Sequence, residues 1–167
     1  MQISQNIAKK LNEQVTNEYG AFWIYQQMAY KLEAMGLSVF SQWFVAQAAE
    51  ERGHAQKIAD YLLDQGAEVE LLQMPKPKAD YKDVAEICQG ALDHEQKVTE
   101  QIHELAKMAD QENDYATRSF LSWFVDEQVE EVATATQLLD LVKMAQTPGQ
   151  LLMLEGRIMS LRGGGGE

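Results

Sequence analysis

A single cysteine, Cys88, stands among 167 residues. One thiol excludes an internal disulfide framework, a cysteine-rich zinc site and an iron–sulfur cluster held by one chain, and it fits a reducing compartment. Proline is nearly as scarce, at positions 75, 77 and 148 only, and from Ala79 to Thr147 the sole glycine is Gly90. Long uninterrupted helices are the natural reading of such a stretch. Positive charge is short as well: 14 Lys+Arg against 26 Asp+Glu leave a formal charge of −12. So acidic a chain repels phosphate backbones and anionic bilayers, which argues against nucleic acid and membrane as partners and for cations. No run approaches the roughly 18 apolar residues of a membrane span, and Met1-Gln2-Ile3-Ser4-Gln5-Asn6 lacks the basic flank and apolar core of an export leader. With 46% apolar residues, the expectation is one soluble, cytoplasmic domain with a real core.

Turn signals divide the chain. Ala34-Met35-Gly36 separates two helical patterns, Asp110-Gln111-Glu112-Asn113-Asp114 separates two more, and Thr147-Pro148 pairs an N-cap residue with proline at the first helical position. Helices are expected over about 4–34, 38–66, 80–109, 114–145 and 148–161. The connection 67–79 is long and carries two prolines that favour an extended path. Extended, it reaches about 43 Å, the length of a helix of some 28 residues, so it can run the length of a bundle and make the second and third helices parallel. The expected architecture is all-α: a four-helix bundle with one long crossover and a short fifth C-terminal helix, occupying 1–161 and followed by a flexible Gly-rich tail, 162–167.

Each long helix can be threaded by alternating steps of three and four, the seam that faces a bundle interior. The first gives Leu11, Val15, Glu18, Phe22, Tyr25, Ala29 and Leu32, and the second Phe40, Phe44, Ala48, Glu51, Ala55, Ile58 and Leu62. The third gives Val84, Cys88, Ala91, Glu95, Val98, Ile102 and Leu105, and the fourth Thr117, Leu121, Phe124, Gln128, Glu131, Ala135, Leu138 and Val142. Every seam carries a glutamate near its middle and none carries lysine or arginine. An ionised carboxylate out of water costs several kcal/mol unless a partner compensates it, so four without ion-pair partners point to bound cations. His54, three residues after Glu51, adds an imidazole on nearly the same face, the Glu-x-x-His pairing of di-metal bundles. Four carboxylates neutralise two divalent ions. Oxygen ligands with one imidazole suit iron, manganese or zinc without selecting among them. His94 and His103 lack such support and read as ordinary polar residues, and Cys88 reads as a small buried filler. Tyr25 and Gln128 by themselves are equally compatible with core packing.

At these residues the sequence resembles the bacterial non-haem ferritins over about 1–161. The resemblance rests on Glu18 with Tyr25 seven residues on, Glu50-Glu51-Arg52-Gly53-His54, Glu95, Asp126-Glu127-Gln128-Val129-Glu130-Glu131, the crossover, and Thr147-Pro148-Gly149 at the start of the last helix. It implies a ferroxidase centre in which Glu18, Glu51 and His54 hold one iron and Glu95 and Glu131 a second, with Glu51 bridging. It also implies Tyr25 as a neighbour able to donate an electron, Gln128 as a nearby amide, and a third iron site at Glu50, Glu127, Glu130 and Glu131. Haem is not expected, because Arg52 stands where bacterioferritins have the haem-ligating methionine and Gln128-Val129-Glu130-Glu131 lacks their second Glu-x-x-His. The acidic positions of the animal-type threefold channel are Arg118 and Leu121 here, so that iron route does not carry over.

The function so implied is iron storage: Fe(II) is oxidised by O2 or H2O2 at an intra-subunit di-iron centre and deposited as ferric oxo-hydroxide inside a homo-oligomeric shell, 24 subunits in this family. The last helix, apolar nearly all round through Leu151, Leu152, Met153, Leu154, Ile158, Met159 and Leu161, is implied to line the shell's fourfold axes. Two rivals are a non-storing di-iron or manganese oxidase or peroxidase of the same superfamily and, from a different class, a metal-free helical scaffold.

Overall fold

Ser4 and Asp83 and Asp114 each begin a helix by accepting a hydrogen bond from the backbone N–H three residues ahead: Ile7 at 3.2 Å, Glu86 at 2.8 Å and Thr117 at 3.0 Å. In the computed structural model, which describes residues 3–162, they open α1 (Gln5–Ala34), α3 (Val84–Gln111) and α4 (Tyr115–Met144). Between the first two lies α2 (Ser38–Asp64), and α5 (Pro148–Ile158) follows Thr147, whose side chain and that of Gln150 form a capping box. The expected start of the third helix at 80 moves to Val84. Glu86 decides it, because its carboxylate reaches back to the Lys82 amide at 2.7 Å while its own amide binds Asp83.

The stops share one geometry. At Gly36, Gly66 and Asn113 the backbone turns to φ 78°, 73° and 55°, and each helix closes with a pair of reversed bonds. Leu37 and Ala67 and Asp114 donate to Leu32, Leu62 and Ala109 at 2.9–3.0 Å, while Gly36, Gly66 and Asn113 donate to Glu33, Leu63 and Asp110 at 2.9–3.2 Å. Glycine, or asparagine, is what that left-handed position accepts.

Residues 67–83 form a strap without helix. Asn12 fastens it to α1 by donating to the Glu68 carbonyl at 2.9 Å and accepting from the Glu70 amide at 2.7 Å, and Thr16 accepts from the Leu72 amide at 3.0 Å. It therefore climbs α1 from its N-terminal half and delivers the chain to the opposite end. One apolar cluster joins Leu32, Phe40, Val84 and Val142, and the other joins Ile7, Leu62, Leu105 and Leu121. The starts of α2 and α3 share one end, so the two helices are parallel, as the strap's length predicts.

All seam residues expected inside are buried except Phe22, which is only partly covered while Ala21 and Met28 take core places. The fifth helix is shorter than expected. It tightens to a 3-10 turn over Met159–Arg162, where the Ser160 hydroxyl donates to the Arg157 carbonyl at 2.6 Å. Leu151, Leu154, Ile158 and Leu161 pack on the bundle's own core, whereas Leu152, Met153 and Met159 remain 57%, 77% and 45% exposed. The tail expected over 162–167 lies, from residue 163 on, outside the described residues. Among those described, no helix is long and apolar enough to cross a membrane.

α2 has no side-chain cap of its own at Leu37. The Glu155 carboxylate of α5 supplies one, accepting from the Val39 and Phe40 amides at 3.0 and 3.3 Å, an anion where the helix dipole favours it. Glu155→Ala is expected to speed hydrogen exchange at those two amides about fivefold, equivalent to about 1 kcal/mol, with the mid-bundle amides unchanged. Unaltered protection of Val39 and Phe40 would show that the cap does not hold the two helices together.

Candidate metal centre

Between the two apolar clusters the bundle interior turns polar. Glu18, Glu51 and Glu95 are 1% exposed and Glu131 8%, one from each long helix. Among the described residues, no lysine or arginine forms an ion pair with any of them. Amides and hydroxyls hold them instead. Gln14 donates to Glu18 at 2.7 Å, Gln47 donates to both Glu51 at 3.2 Å and Glu131 at 2.8 Å, and the Tyr25 hydroxyl donates to Glu95. Gln128 lies against Glu95 and accepts from the Thr99 hydroxyl at 3.0 Å. One oxygen of Glu18 and one of Glu95 are buried with no hydrogen-bond partner, an expensive arrangement unless a ligand occupies the space they face.

His54 sits at the junction. Its Nδ1 is 3.3 Å from Glu51, and ligand atoms of Glu18, Glu51 and His54 lie within 4.8 Å of one another. Its Nε2 is 3.9 Å from Glu127, and His54, Glu127 and Glu131 form a second such group. Three protein ligands at that spacing are a workable seat for a divalent ion. Glu130 is exposed and Glu50 half-buried, and both stand outside the two groups, although the charge of each raises the proton affinity of Glu127.

The electrostatics say the same. Burial, then the charge of Glu51, pushes the Glu18 carboxyl up to about 8. Burial likewise raises Glu51, Glu95 and Glu131, each also raised by another of the set: Glu51 by Glu131, Glu131 by Glu95 and Glu95 by Glu51. Tyr25 is held well above its ordinary value by burial and by Glu95, so its hydroxyl stays a donor. Without cations, these carboxyls keep protons that the same groups in water release. A divalent ion displaces those protons and neutralises the charge.

The structure thus brings Glu18, Tyr25, Glu51, His54, Glu95, Gln128 and Glu131 to one level, with Glu127 beside them. Sequence reasoning missed four neighbours. Gln14 and Gln47 each stand four residues before the glutamate they bind, a repeated spacing visible in the chain. Trp123 packs edge-on against His54 with ring centroids 5.5 Å apart, and the Lys57 ammonium lies 3.7 Å from the centroid of its indole ring. His94, read as an ordinary polar residue, is instead half-buried edge-on to Tyr25, and burial followed by the charge of Lys97 lowers it to about 4. His103 is exposed and Cys88 buried, as read; burial pushes the Cys88 thiol up to about 12.

Known proteins share this arrangement of helices. A family model described as a ferritin-like domain matches residues 8–145. The chain is 42% identical over 131 residues to the bacterial non-heme ferritin of Staphylococcus aureus strain MRSA252, covering 78% of this chain and 79% of that one. With the bacterial non-heme ferritin of Staphylococcus haemolyticus it shares 38% identity over 138 residues, 83% of either chain. The open-pore ferritin of the hyperthermophilic archaeon Archaeoglobus fulgidus superposes with a TM-score of 0.91 at 35% identity, over 93% of this chain and 96% of that one.

The raised carboxyls tie stability to pH. Between their ordinary value near 4.5 and about 8, the folded protein holds protons that the unfolded chain has released, so stability falls as pH rises. Metal-free protein is expected to lose thermal stability relative to its Glu18→Gln variant from about pH 5 to pH 8, and Fe(II) or Zn(II) should restore the wild type only. A difference that is flat in pH would refute the burial of an ionisable Glu18.

Proposed function

Because the chain belongs to the ferritin family, we propose that it is an iron-storage protein whose central glutamates hold Fe(II) while O2 or H2O2 oxidises it, and whose single domain, residues 1–161, assembles into a homo-oligomeric shell that holds the ferric product. The observation that carries this reading is the four buried glutamates, one per helix, with two oxygens left unpartnered and an imidazole between them.

Fe(II) is substrate rather than resident cofactor. One ion takes Glu18, Glu51 and His54, the second takes Glu95 and Glu131, and Glu51 bridges. Gln14, Gln47 and the Tyr25 hydroxyl hold the carboxylates in place before iron arrives, so little reorganisation remains for the loading step. Four carboxylates cancel the charge of two Fe(II). Each ion gives one electron, the pair reduces O2 to H2O2 with two protons from water, and the two Fe(III) hydrolyse to oxo-hydroxide with release of further protons. With H2O2 as oxidant, the same two electrons yield water. Oxidation leaves two excess positive charges on the pair, which oxide and hydroxide formed from hydrolysed water cancel, and these ligands compete with the carboxylates for the ferric product.

Glu127 faces the other nitrogen of His54, and half-buried Glu50 and exposed Glu130 carry charge that acts on it. These three provide the next oxygen ligands outward, either as a third iron site with Glu131 or as a path for iron leaving the centre. The hydrogen bond from the Tyr25 hydroxyl to Glu95 supports a role for Tyr25 as electron donor to the oxidant. Exposed Leu152 and Met153 on α5 and Met159 in the turn after it supply the apolar contact for assembly about a fourfold axis in a 24-subunit shell. A cytoplasmic location accords with the lone buried thiol and the Fe(II) substrate.

Anaerobic loading with Fe(II) followed by oxygen is expected to give rapid oxidation in the wild type. Glu51→Ala and Glu131→Ala should each slow it at least tenfold, about 1.4 kcal/mol in barrier. Wild-type rates in both variants would reject the centre. Native mass separates storage from the rival oxidase: 24 copies of an 18.9 kDa chain amount to about 450 kDa, whereas a dimer has no room for a mineral.

A further inference from the structure

Under the far end of the strap, α1 and α3 part along their outer faces and leave a cavity of about 520 Å³, a size typical of small-molecule sites. Ile24 and Met28 of α1 and the Tyr81 ring of the strap form its apolar wall. Two glycines shape it. A Cβ at Gly90 would come within 3.3 Å of the Met28 methyl and 3.5 Å of the Tyr81 ring, so its absence lets the strap close over α3; at Gly20 nothing lies within 4 Å, and the missing side chain is open space.

The polar wall is unequal in sign. Its acidic members are already engaged: Glu86 by the Lys78 ammonium at 2.6 Å and the Lys82 amide at 2.7 Å, and Asp93 by the Gln89 amide at 2.8 Å. Lys76, Lys97 and His94 also line the cavity, and the buried Nε2 of His94 has no hydrogen-bond partner. In a chain of net charge −12, the Lys76 and Lys97 ammonium groups outnumber the one carboxylate of this wall without an ion-pair partner, Asp93, and make a local seat for negative charge beside the His94 ring.

We propose that this cavity binds a small aromatic anion, a flat ring system bearing one carboxylate or phosphate, with the ring against Ile24, Met28 and Tyr81 and the anionic head toward Lys76, Lys97 and His94. Aromatic faces and thioethers suit such a ring, and the lysines suit the head. The site is separate from the glutamate centre yet linked to it. His94 meets the Tyr25 ring edge-on at 5.9 Å, and Tyr25 bonds Glu95, so an occupant lies two rings away from a metal-binding carboxylate. The proposal does not depend on whether that centre oxidises iron.

Titration calorimetry on the assembled, metal-free protein tests it, with 1-naphthoate and 1-naphthyl phosphate as probes and 1-naphthalenemethanol and inorganic phosphate as comparisons. At least one aromatic anion is expected to saturate at one per chain, and the better of the two tells carboxylate from phosphate. The alcohol and inorganic phosphate should bind at least about tenfold more weakly. Gly20→Leu, which fills the open space with a good helix former, and Lys97→Met should each weaken the aromatic anion by about tenfold or more, with helix content and assembly retained. Lys97→Met and His94→Phe carry the test if Gly20→Leu fails to fold. Four results overturn the proposal: no saturation by either aromatic anion; equal affinity for the alcohol, which means an apolar groove only; equal affinity for inorganic phosphate, which means an anion site without ring preference; or wild-type affinity in the variants, which places the probe elsewhere.

Discussion

Repulsion among four carboxylates at one level of a bundle is the constraint around which the rest of this molecule is arranged. Left alone, Glu18, Glu51, Glu95 and Glu131 would take up water, protons or lysine, and the helices would separate or shift to let them. Two apolar clusters prevent that by gripping the bundle above and below the polar level. The grip is strong because burial of a Leu, Ile or Phe side chain is worth about 1.5–3 kcal/mol, and each cluster contains many. The reversed hydrogen bonds at Gly36, Gly66 and Asn113 fix where three helices stop, and with them the register that puts the four carboxylates level. Stability at the ends is thereby used to maintain an unfavourable middle, which cations relieve.

What orients the carboxylates is a shell of neutral donors. Gln14, Gln47 and Tyr25 satisfy one oxygen of their partners without cancelling charge. A lysine at any of those places would pair with the glutamate and compete with a metal ion; an alanine would leave the carboxylate free to turn. Amide and phenol therefore suit a site that must be preformed yet remain attractive to cations. Membership in the ferritin family gives this arrangement a purpose, since a protein that stores iron needs sites that attract the cation.

Most of this was legible in the chain because a bundle seam is a one-dimensional pattern. Every position that steps of three and four picked on α2, α3 and α4 is buried, and on α1 only Phe22 is not, although buried flank residues such as Met28, Trp43, Ile87 and Leu139 lie off those seams. The glutamates were legible for the same reason, as exceptions within an apolar register. What the pattern could not carry was the identity of neighbours on other helices. Gln14 and Gln47 precede their glutamates by four residues, but so does Gln56 precede Asp60 and Gln89 precede Asp93 on exposed faces, and only burial separates the two kinds. Trp123 becomes part of the centre through His54 on another helix, and His94 differs from His103 because Tyr25 of α1 covers it. The start of α3 could have been read more closely, since Asp83 and Glu86 stand at the spacing of a cap and its reciprocal partner, whereas Asp80 has no such residue three positions on.

The strap has a consequence for the field at the centre. By carrying the chain from one end of the bundle to the other it makes α2 and α3 parallel, so that α1 runs against α2, α3 against α4, and α1 against α3. Peptide dipoles in packed, opposed helices cancel, and the glutamates sit about 20 Å from the helix ends, well beyond the last turn in which such dipoles act. No backbone charge of either sign reaches them. Attraction for a cation at this level is therefore set by side chains alone, and a carboxylate lost from one helix has no backbone substitute.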